Sequence, residues 1–161
     1  MRKKEKEITD RKEIEGILHG AEICRIALVD GDVPYIVPVN FGYKDGRIYF
    51  HSALEGRKID IIRRNNRVCF EVDVDYRLLL GGAPCDWGMR YRSVIGTGRA
   101  HIVEDDIERK EGLQVLVQHY CPEVEDVPTA RGKKALIIRI DIDEMTGKRS
   151  DELIEDRYMV P

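Results

Sequence analysis

The stretch EICRIALVDGDVPYIVPVNFGYKDGRIYFHS, residues 22–52, decides the fold class, because its apolar segments are separated by tight-turn signals. Asp30-Gly31 and Asp45-Gly46 are dipeptides typical of hairpin turns, and they divide the stretch into three predicted strands. Pro38 falls inside the second of these strands. Because proline cannot donate to a strand ladder, it predicts an edge strand or a bulge at that point. The stretch therefore favours antiparallel β structure.

Strand patterns recur further along the chain. RVCFEVDVDY, residues 67–76, alternates apolar and charged side chains in the manner of a half-buried strand. YRSVIGTGRAHIVE, residues 91–104, and KALIIRIDIDEM, residues 134–145, predict two more strands, and Gly96 and Gly98 are expected to bend the first of them. Residues 77–89, which lie between the strands predicted at residues 67–76 and 91–104, contain glycines and Pro84 and predict a loop.

Three helices are expected around these strands. Asp10 can cap a short helix that stops at Gly20, and residues 57–64 and 106–120 have apolar positions at helical spacing. Six mostly antiparallel strands with three peripheral helices predict a small β-barrel rather than a parallel sheet. We expect residues 1–161 to form a single domain, with residues 1–8 and 151–161 flexible or peripheral.

Bulk composition restricts the function classes. The 161 residues carry a net charge of −3, which gives no general attraction to nucleic acid or to an anionic membrane. The N-terminal segment mixes both signs of charge and matches neither a signal peptide nor a membrane span. The four cysteines are far apart and form no C-x-x-C pair, so no metal site is predicted and a reduced, cytoplasmic protein is expected.

The segment YFHSALEGRKIDIIRRN, residues 49–65, leaves two interpretations open. Ser52 and Glu55 fit a capping box, so a helix could begin at Ala53. Alternatively residues 52–56 form a loop and the helix begins near Arg57, with its first-turn amides, Lys58 and Ser52 facing a phosphate. Cations in a first turn oppose the helix dipole by about 0.3–1 kcal/mol each when exposed, and a bound anion would reverse that effect.

Other candidate residues have equally open interpretations. His51 ends a strand directly before the suspected phosphate loop, where it is either a ligand contact or a hydrogen-bonding wall residue. The interrupted ladder at Pro38 leaves the Asn40 amide free to meet a ligand, unless the strand is a plain edge. Trp87, in or beside the glycine-containing loop, either fills that loop or covers a planar ring, its own subunit's or a neighbour's.

The combined motifs resemble a known family. They are PVNFG, YFHSALEGRK, VCFEVD, CDWGMRYRSVIGTGRA and a late MTGKRS. Over about residues 8–150 the chain resembles the FMN-binding split-barrel superfamily of pyridoxamine 5′-phosphate oxidase, in the branch similar to 5-nitroimidazole-resistance flavoproteins. The resemblance implies a mainly β, six-stranded antiparallel split barrel of Greek-key type. It also implies a homodimer with two FMN sites at the subunit interface.

The resemblance assigns roles to specific positions. It implies that the FMN phosphate is held by Ser52, Arg57 and Lys58. It implies that the flavin edge is lined by Pro38, Val39 and Asn40, with His51 beside it. From the interface side, in one interpretation from the partner subunit, the flavin would be reached by Trp87, Tyr91, Arg92 and Ser93.

The expected activity is that of an oxidoreductase. NAD(P)H or another donor would reduce the flavin, which would pass hydride or electrons to a small acceptor such as a nitroaromatic. His51 is the candidate proton donor, and no nucleic-acid or membrane partner is expected. The alternatives are a non-catalytic flavin carrier or redox sensor, and a barrel that binds haem or a deazaflavin. No counterpart of the oxidase's C-terminal substrate-binding segment follows Met145, so vitamin B6 oxidation is not predicted.

Overall fold

The computed structural model describes residues 3–125, 127 and 135–150. Within them, one antiparallel sheet contains β1 (Glu7–Ile8), β2 (Cys24–Asp30), β3 (Val33–Val39), β4 (Gly42–Lys44), β5 (Arg47–Ser52), β6 (Arg67–Leu79), β7 (Gly88–Ile102) and β8 (Leu136–Ser150). The helices are α1 (Arg11–Gly20), α2 (Arg57–Arg64) and α3 (Asp106–Tyr120), with short 3₁₀ helices at Lys4–Lys6 and Pro84–Asp86.

The strand order shows that the sheet curls into a barrel. The order is β3-β2-β6-β7-β8-β5-β4, with β1 added to β8, so β3 and β4 lie at opposite ends of the path. A flat sheet would separate these two strands by about 29 Å, at roughly 4.8 Å per strand spacing. The chain nevertheless passes from Val39 to Gly42 through only Asn40 and Phe41, a reach of at most about 11 Å. The two edges must therefore approach each other, as in a split barrel.

Two apolar clusters hold this arrangement together. The larger fills the barrel, and its fully buried members include Phe41, Phe50, Phe70, Ile26 and Ile138. The smaller lies between the sheet and α3 and consists of Tyr49, Val103, Val115 and Ile137. The antiparallel strand β5 contributes to both clusters because Phe50 and Tyr49 point to opposite faces.

The structure confirms the three predicted helices. Asp10 caps α1 by accepting from Lys12 N at 2.9 Å, and Asp105 caps α3 by accepting from Glu108 N at 2.9 Å. The helix α2 begins at Arg57 with Gly56 as its N-cap, which decides between the two interpretations of residues 49–65. The edge position predicted from Pro38 is also confirmed, since β3 lies at one end of the sheet.

Three predictions about strands were wrong in detail. The described residues form eight strands rather than six, because residues 22–52 give four strands and Glu7–Ile8 adds another. The predicted loop 77–89 is much shorter, because β6 continues to Leu79 and β7 starts at Gly88, pairing Leu78 with Met89. The strand predicted to end at Met145 continues to Ser150. The expected bend at Gly96 and Gly98 corresponds to a register shift between Thr97 and Gly98.

The N-terminal segment takes part in the sheet. Ile8 pairs with Gly147 of β8 and is buried, and a Cβ at Gly147 would stand only 2.8 Å from the Ile8 Cβ. Glycine at position 147 therefore permits this close approach. The prediction for residues 151–161 falls outside the described residues.

Candidate functional site

Ser52 occupies an unusual environment at the end of β5. The residue is 2% exposed, and its Oγ has no hydrogen-bond partner among the residues that the structure describes. Buried hydroxyls are nearly always paired, since leaving one unpaired costs about 1–3 kcal/mol. Within the described residues, this hydroxyl therefore remains available to donate to an anion.

The start of α2 lies a few residues further along. The first helical hydrogen bonds run from Ile59 N and Asp60 N to Gly56 O, at 2.9 and 3.1 Å. Gly56, with φ 132°, has no side chain to cap the amides of Arg57 and Lys58. A positive φ of this size favours glycine, so the sequence accepts an uncapped start here. Uncapped first-turn amides suit an anion.

Lys58 adds a positive charge on the same side as Ser52. Its ammonium lies 6.0 Å from the ring centroid of Phe50, and strand residues two apart, such as Phe50 and Ser52, point to the same face. No carboxylate in the described part of the chain lies within ion-pair distance of this ammonium. The cation, the hydroxyl and the amides of α2 are thus available to one anion.

Arg57 has a different arrangement from Lys58. Its Nε donates to Asp30 at 3.0 Å, and its guanidinium stacks 4.6 Å from the Tyr35 ring centroid. Arg64 donates to the same carboxylate at 2.6 Å. These contacts fasten both ends of α2 to the end of β2 and line an open depression on the surface. Arg57 therefore anchors the helix. To contact a phosphate as predicted, its guanidinium would have to bond to Asp30 and the phosphate together, or give up its bond to Asp30.

The flavin-edge candidates meet at one end of the β4–β5 hairpin. Gly42 pairs with Tyr49, so Asn40 and His51 extend beyond that pair in the same direction. Both side chains are exposed, whereas Val39 is buried in the barrel. His51 and Ser52 are consecutive strand residues and therefore point to opposite faces. The structure thus brings Asn40, His51 and Ser52 to one region but does not put the histidine beside the serine hydroxyl.

The second group of predicted residues lies elsewhere in the same chain. Tyr91 pairs with Ser150 and Ser93 with Lys148, whereas Ser52 pairs with Leu136 at the other end of β8. At about 3.3 Å per residue, the path along β8 between these ends is roughly 45 Å. Within one chain, Tyr91, Arg92 and Ser93 therefore lie near the opposite end of β8 from the residue that pairs with Ser52.

The contacts within this second group are local. Lys148 donates to the Tyr91 hydroxyl in a very short hydrogen bond, and Arg92 Nε donates to Asp75 at 2.7 Å. Ser93 is 6% exposed. Trp87, by contrast, is 51% exposed at the tip of the β6–β7 hairpin. An exposed tryptophan on a protruding hairpin is typical of a surface that meets another molecule.

The sequence did not predict that the end of α3 bonds to the segments before β2 and after β3, next to the flavin-edge candidates. The Tyr120 hydroxyl accepts from Phe41 N, just after β3, and donates to Glu22 O, just before β2. His119 Nε2 donates to Ala21 O at 2.7 Å. His119 falls at the end of the helix predicted over residues 106–120, where histidines commonly bond to carbonyls, so a partial signal was present. Burial lowers the pKa of His119 below that of an ordinary histidine. The Tyr120 contacts span 79 and 98 residues of sequence, so no local pattern indicates them.

Comparison with known proteins assigns the family. The family model described as pyridoxamine 5′-phosphate oxidase matches residues 10–149, which is most of the chain. The chain belongs to the pyridoxamine 5′-phosphate oxidase family. The resemblance carried by its motifs is thereby confirmed.

Solved structures agree with this assignment. A candidate 5-nitroimidazole antibiotic resistance protein from Bacteroides thetaiotaomicron is 31% identical with a TM-score of 0.75, covering 89% of this chain and 86% of its own. An FAD-binding protein from Mesorhizobium loti is 26% identical, with a TM-score of 0.64 and coverages of 88% and 95%. A flavocytochrome from Azotobacter vinelandii, at 20% identity, has a TM-score of 0.79 and coverages of 93% and 72%, and shows the shared fold alone.

A curated relative is similar over a shorter region. An uncharacterized protein of Rhizobium meliloti (strain 1021) is 29% identical over 92 residues, which are 57% of this chain and 54% of the relative. The match therefore spans about half the length of that relative. Among the described helices of this chain, none has the length and apolar character needed to cross a membrane.

Proposed function

We propose that this protein binds FMN and acts as an oxidoreductase, passing hydride or electrons from a nicotinamide cofactor to a small acceptor such as a nitroaromatic. The observation that carries the proposal is the buried hydroxyl of Ser52, which has no partner among the described residues and lies near the uncapped start of α2. The names of two relatives, an FAD-binding protein and a candidate 5-nitroimidazole resistance protein, support the same ligand and substrate classes.

The phosphate of FMN fits the donors at this end of β5. A dianion would accept from the Ser52 hydroxyl and from the first-turn amides of α2, and it would turn the unfavourable helix-start cations into favourable ones. Lys58 is assigned the principal charged contact, because its ammonium has no described carboxylate partner. Arg57 would contribute to phosphate binding through its positive charge while it stays bonded to Asp30.

The ring system is assigned to the neighbouring region. Pro38, Val39 and Asn40 would line its edge, with His51 at the open side, where its exposed imidazole can give a proton to the reduced acceptor. The bound flavin would supply the hydride and electron transfer, so the chain needs no nucleophile of its own.

A homodimer completes the proposed site. Trp87, Tyr91, Arg92 and Ser93 are separated from Ser52 along β8 in one chain, so their contact with the same flavin is assigned to the partner subunit. The exposed Trp87 on its hairpin is available for that interface.

The phosphate assignment is tested with Lys58→Ala. Loss of a charge-assisted contact to a dianion costs about 1.5–3 kcal/mol, so FMN affinity is expected to fall at least about tenfold. Riboflavin, which lacks the phosphate, should bind almost as well as to wild type. Both affinities are measured by fluorescence titration of the free flavin.

Arg63→Ala is the matched control, because it removes the same charge from the other end of α2, where its described partner is Asp60 at 3.9 Å. Its effect on FMN should be small. Equal losses of FMN and riboflavin in Lys58→Ala would contradict the phosphate contact. So would equal effects of the two substitutions on FMN.

Catalysis is tested separately from binding. The absorption spectrum of the purified protein distinguishes flavin from haem, which would give a Soret band, and from a deazaflavin. FMN-loaded protein is then assayed with NADH and NADPH against several nitroaromatics, alongside His51→Gln. Turnover that slows in the His51 variant while FMN stays bound supports the proposal. Full flavin loading without turnover would identify a carrier or redox sensor instead.

A further inference from the structure

The link between β3 and β4 is held by the last residue of α3. The hydroxyl of Tyr120 accepts from Phe41 N at 3.0 Å and donates to Glu22 O at 2.7 Å. One side chain thus joins the segment after β3 to the segment before β2. These two segments lie side by side because Val39 pairs with Cys24.

The Phe41 amide depends on the Tyr120 hydroxyl because Phe41 lies between β3 and β4, outside the backbone hydrogen bonds of either strand. Val39 is the last residue of β3, and Gly42, the first residue of β4, pairs with Tyr49. Phe41 itself is 0% exposed, so water cannot satisfy its N–H. The tyrosine hydroxyl takes the place that a neighbouring strand would otherwise fill.

Two further contacts prevent the link from moving independently of α3. The Phe41 ring lies 4.6 Å from the His119 ring, measured between centroids. A Cβ built at Gly42 would stand 2.5 Å from Val115 O, which is closer than real Cβ atoms come to backbone. The chain on the C-terminal side of Asn40 is therefore fixed against α3 by a hydrogen bond, a ring contact and close backbone packing.

We propose that Tyr120 is a positioning residue of the flavin site, which holds Asn40 in place through the Phe41 amide. The inference rests on the proposed function, because Asn40 is assigned to the flavin edge there. Asn40 is exposed and directly precedes the bonded amide, so its place follows from that of Phe41. Loss of the hydroxyl would leave the Phe41 amide without its acceptor and loosen the Asn40 side of the link, although the ring contact and the packing at Gly42 remain. The contact of Asn40 with the flavin ring would then weaken while the phosphate contact at Ser52 and Lys58 remained.

Tyr120→Phe tests this assignment, because it removes only the hydroxyl and keeps the ring. We expect FMN and riboflavin to lose affinity by the same factor, about three- to tenfold, the range of a single hydrogen bond. The visible circular dichroism of the bound flavin should also change. This pattern differs from the selective loss of FMN expected for Lys58→Ala.

Tyr43→Phe is the matched control. The Tyr43 hydroxyl likewise accepts a backbone N–H, that of Gly46 at 3.2 Å, and it donates to Glu15 at 2.9 Å. Its removal should lower thermal stability and leave flavin affinity and the visible spectrum unchanged. A double-mutant cycle with Asn40→Ala adds a second readout. If Tyr120 acts through Asn40, the two losses of riboflavin affinity should be clearly less than additive.

The outcomes separate the inference from the proposed function. Wild-type flavin affinity and spectrum in Tyr120→Phe would overturn the inference and leave the proposed function standing. Fully additive losses in the cycle, or equal spectral changes in Tyr43→Phe, would also overturn it. A wild-type protein that binds neither FMN nor riboflavin would overturn both.

Discussion

Ser52 is the residue at which stability and ligand binding are expected to conflict. Its buried hydroxyl has no described partner, which costs folding free energy on the order of 1–3 kcal/mol. An alanine, which is smaller than serine, would fit at this strand end without that cost. The proposed ligand contact would account for a serine at this position.

Ser52→Ala should have opposite effects on the two properties. Without ligand, the free energy of unfolding should stay equal or rise by up to about 1 kcal/mol, because no unpaired hydroxyl is buried. FMN affinity should fall by about tenfold or more, as expected for the loss of a hydrogen bond to a charged group. Urea denaturation and flavin titration measure the two effects.

A clear loss of stability in the ligand-free Ser52→Ala protein would show that the hydroxyl has a partner within the chain. Unchanged FMN affinity would place the phosphate elsewhere. Either result would contradict the assignment of this residue.

The local sequence indicated Ser52 and Lys58 but not the arrangement of Arg57. The strand end at Ser52, Gly56 and the two cations all lie within residues 52–58, so their chemistry can be recognised within one window of residues. Asp30, which bonds to Arg57, is 27 positions away. Only the three-dimensional fold shows which of two neighbouring cations remains available to a ligand.

At the scale of elements, the helices were predictable and the strand ends were not. Asp10 and Asp105 directly precede the helices α1 and α3 that they cap, and the apolar spacing lies within the helices themselves. The break between β3 and β4 depends instead on Tyr120, which is remote in sequence. The outer part of the β6–β7 hairpin was predicted as a loop because it is exposed on both sides and lacks alternation, with Leu78 and Met89 both half exposed.

The docking of α3 should depend on pH through His119. Burial, with a smaller contribution from the nearby charge of His19, lowers the pKa of His119 in the folded protein. The unfolded chain, with an ordinary histidine pKa of about 6.5, then binds the proton more readily. The stability contributed by neutral His119 is therefore complete above about pH 6.5 and falls as the pH decreases below it.

His119→Gln should flatten this dependence, because glutamine can donate to Ala21 O and does not titrate. The free energy of unfolding is measured in urea between pH 5 and 7.5 for both proteins, and the difference between them removes the contribution of the carboxylates. Identical pH slopes for the two proteins would contradict a titrating role for His119.

At the scale of the whole molecule, the sheet register predicts a shared site. Because Tyr91 pairs with Ser150 and Ser52 pairs with Leu136, at opposite ends of β8, we expect two chains to combine at one site. We expect light scattering at micromolar concentration to give twice the chain mass of 18.6 kDa. A monomeric mass would contradict the shared-site arrangement.

Mixed dimers test which chain supplies Trp87. Lys58→Ala and Trp87→Ala proteins should each bind FMN weakly. After unfolding and refolding together, each mixed dimer should regain one intact site if the two residues come from different chains. If they come from the same chain, every site keeps one substitution and mixing restores nothing.

The place of β8 in the sheet has a consequence for synthesis. This strand lies between β7 and β5 and also pairs with β1, yet it is the last strand described along the chain. While the ribosome is still making the residues before position 136, β5 and β7 each have an open edge that only β8 can cover. The nascent chain therefore carries unpaired strand edges until residues 136–150 have been made, a period in which such edges can pair with other chains.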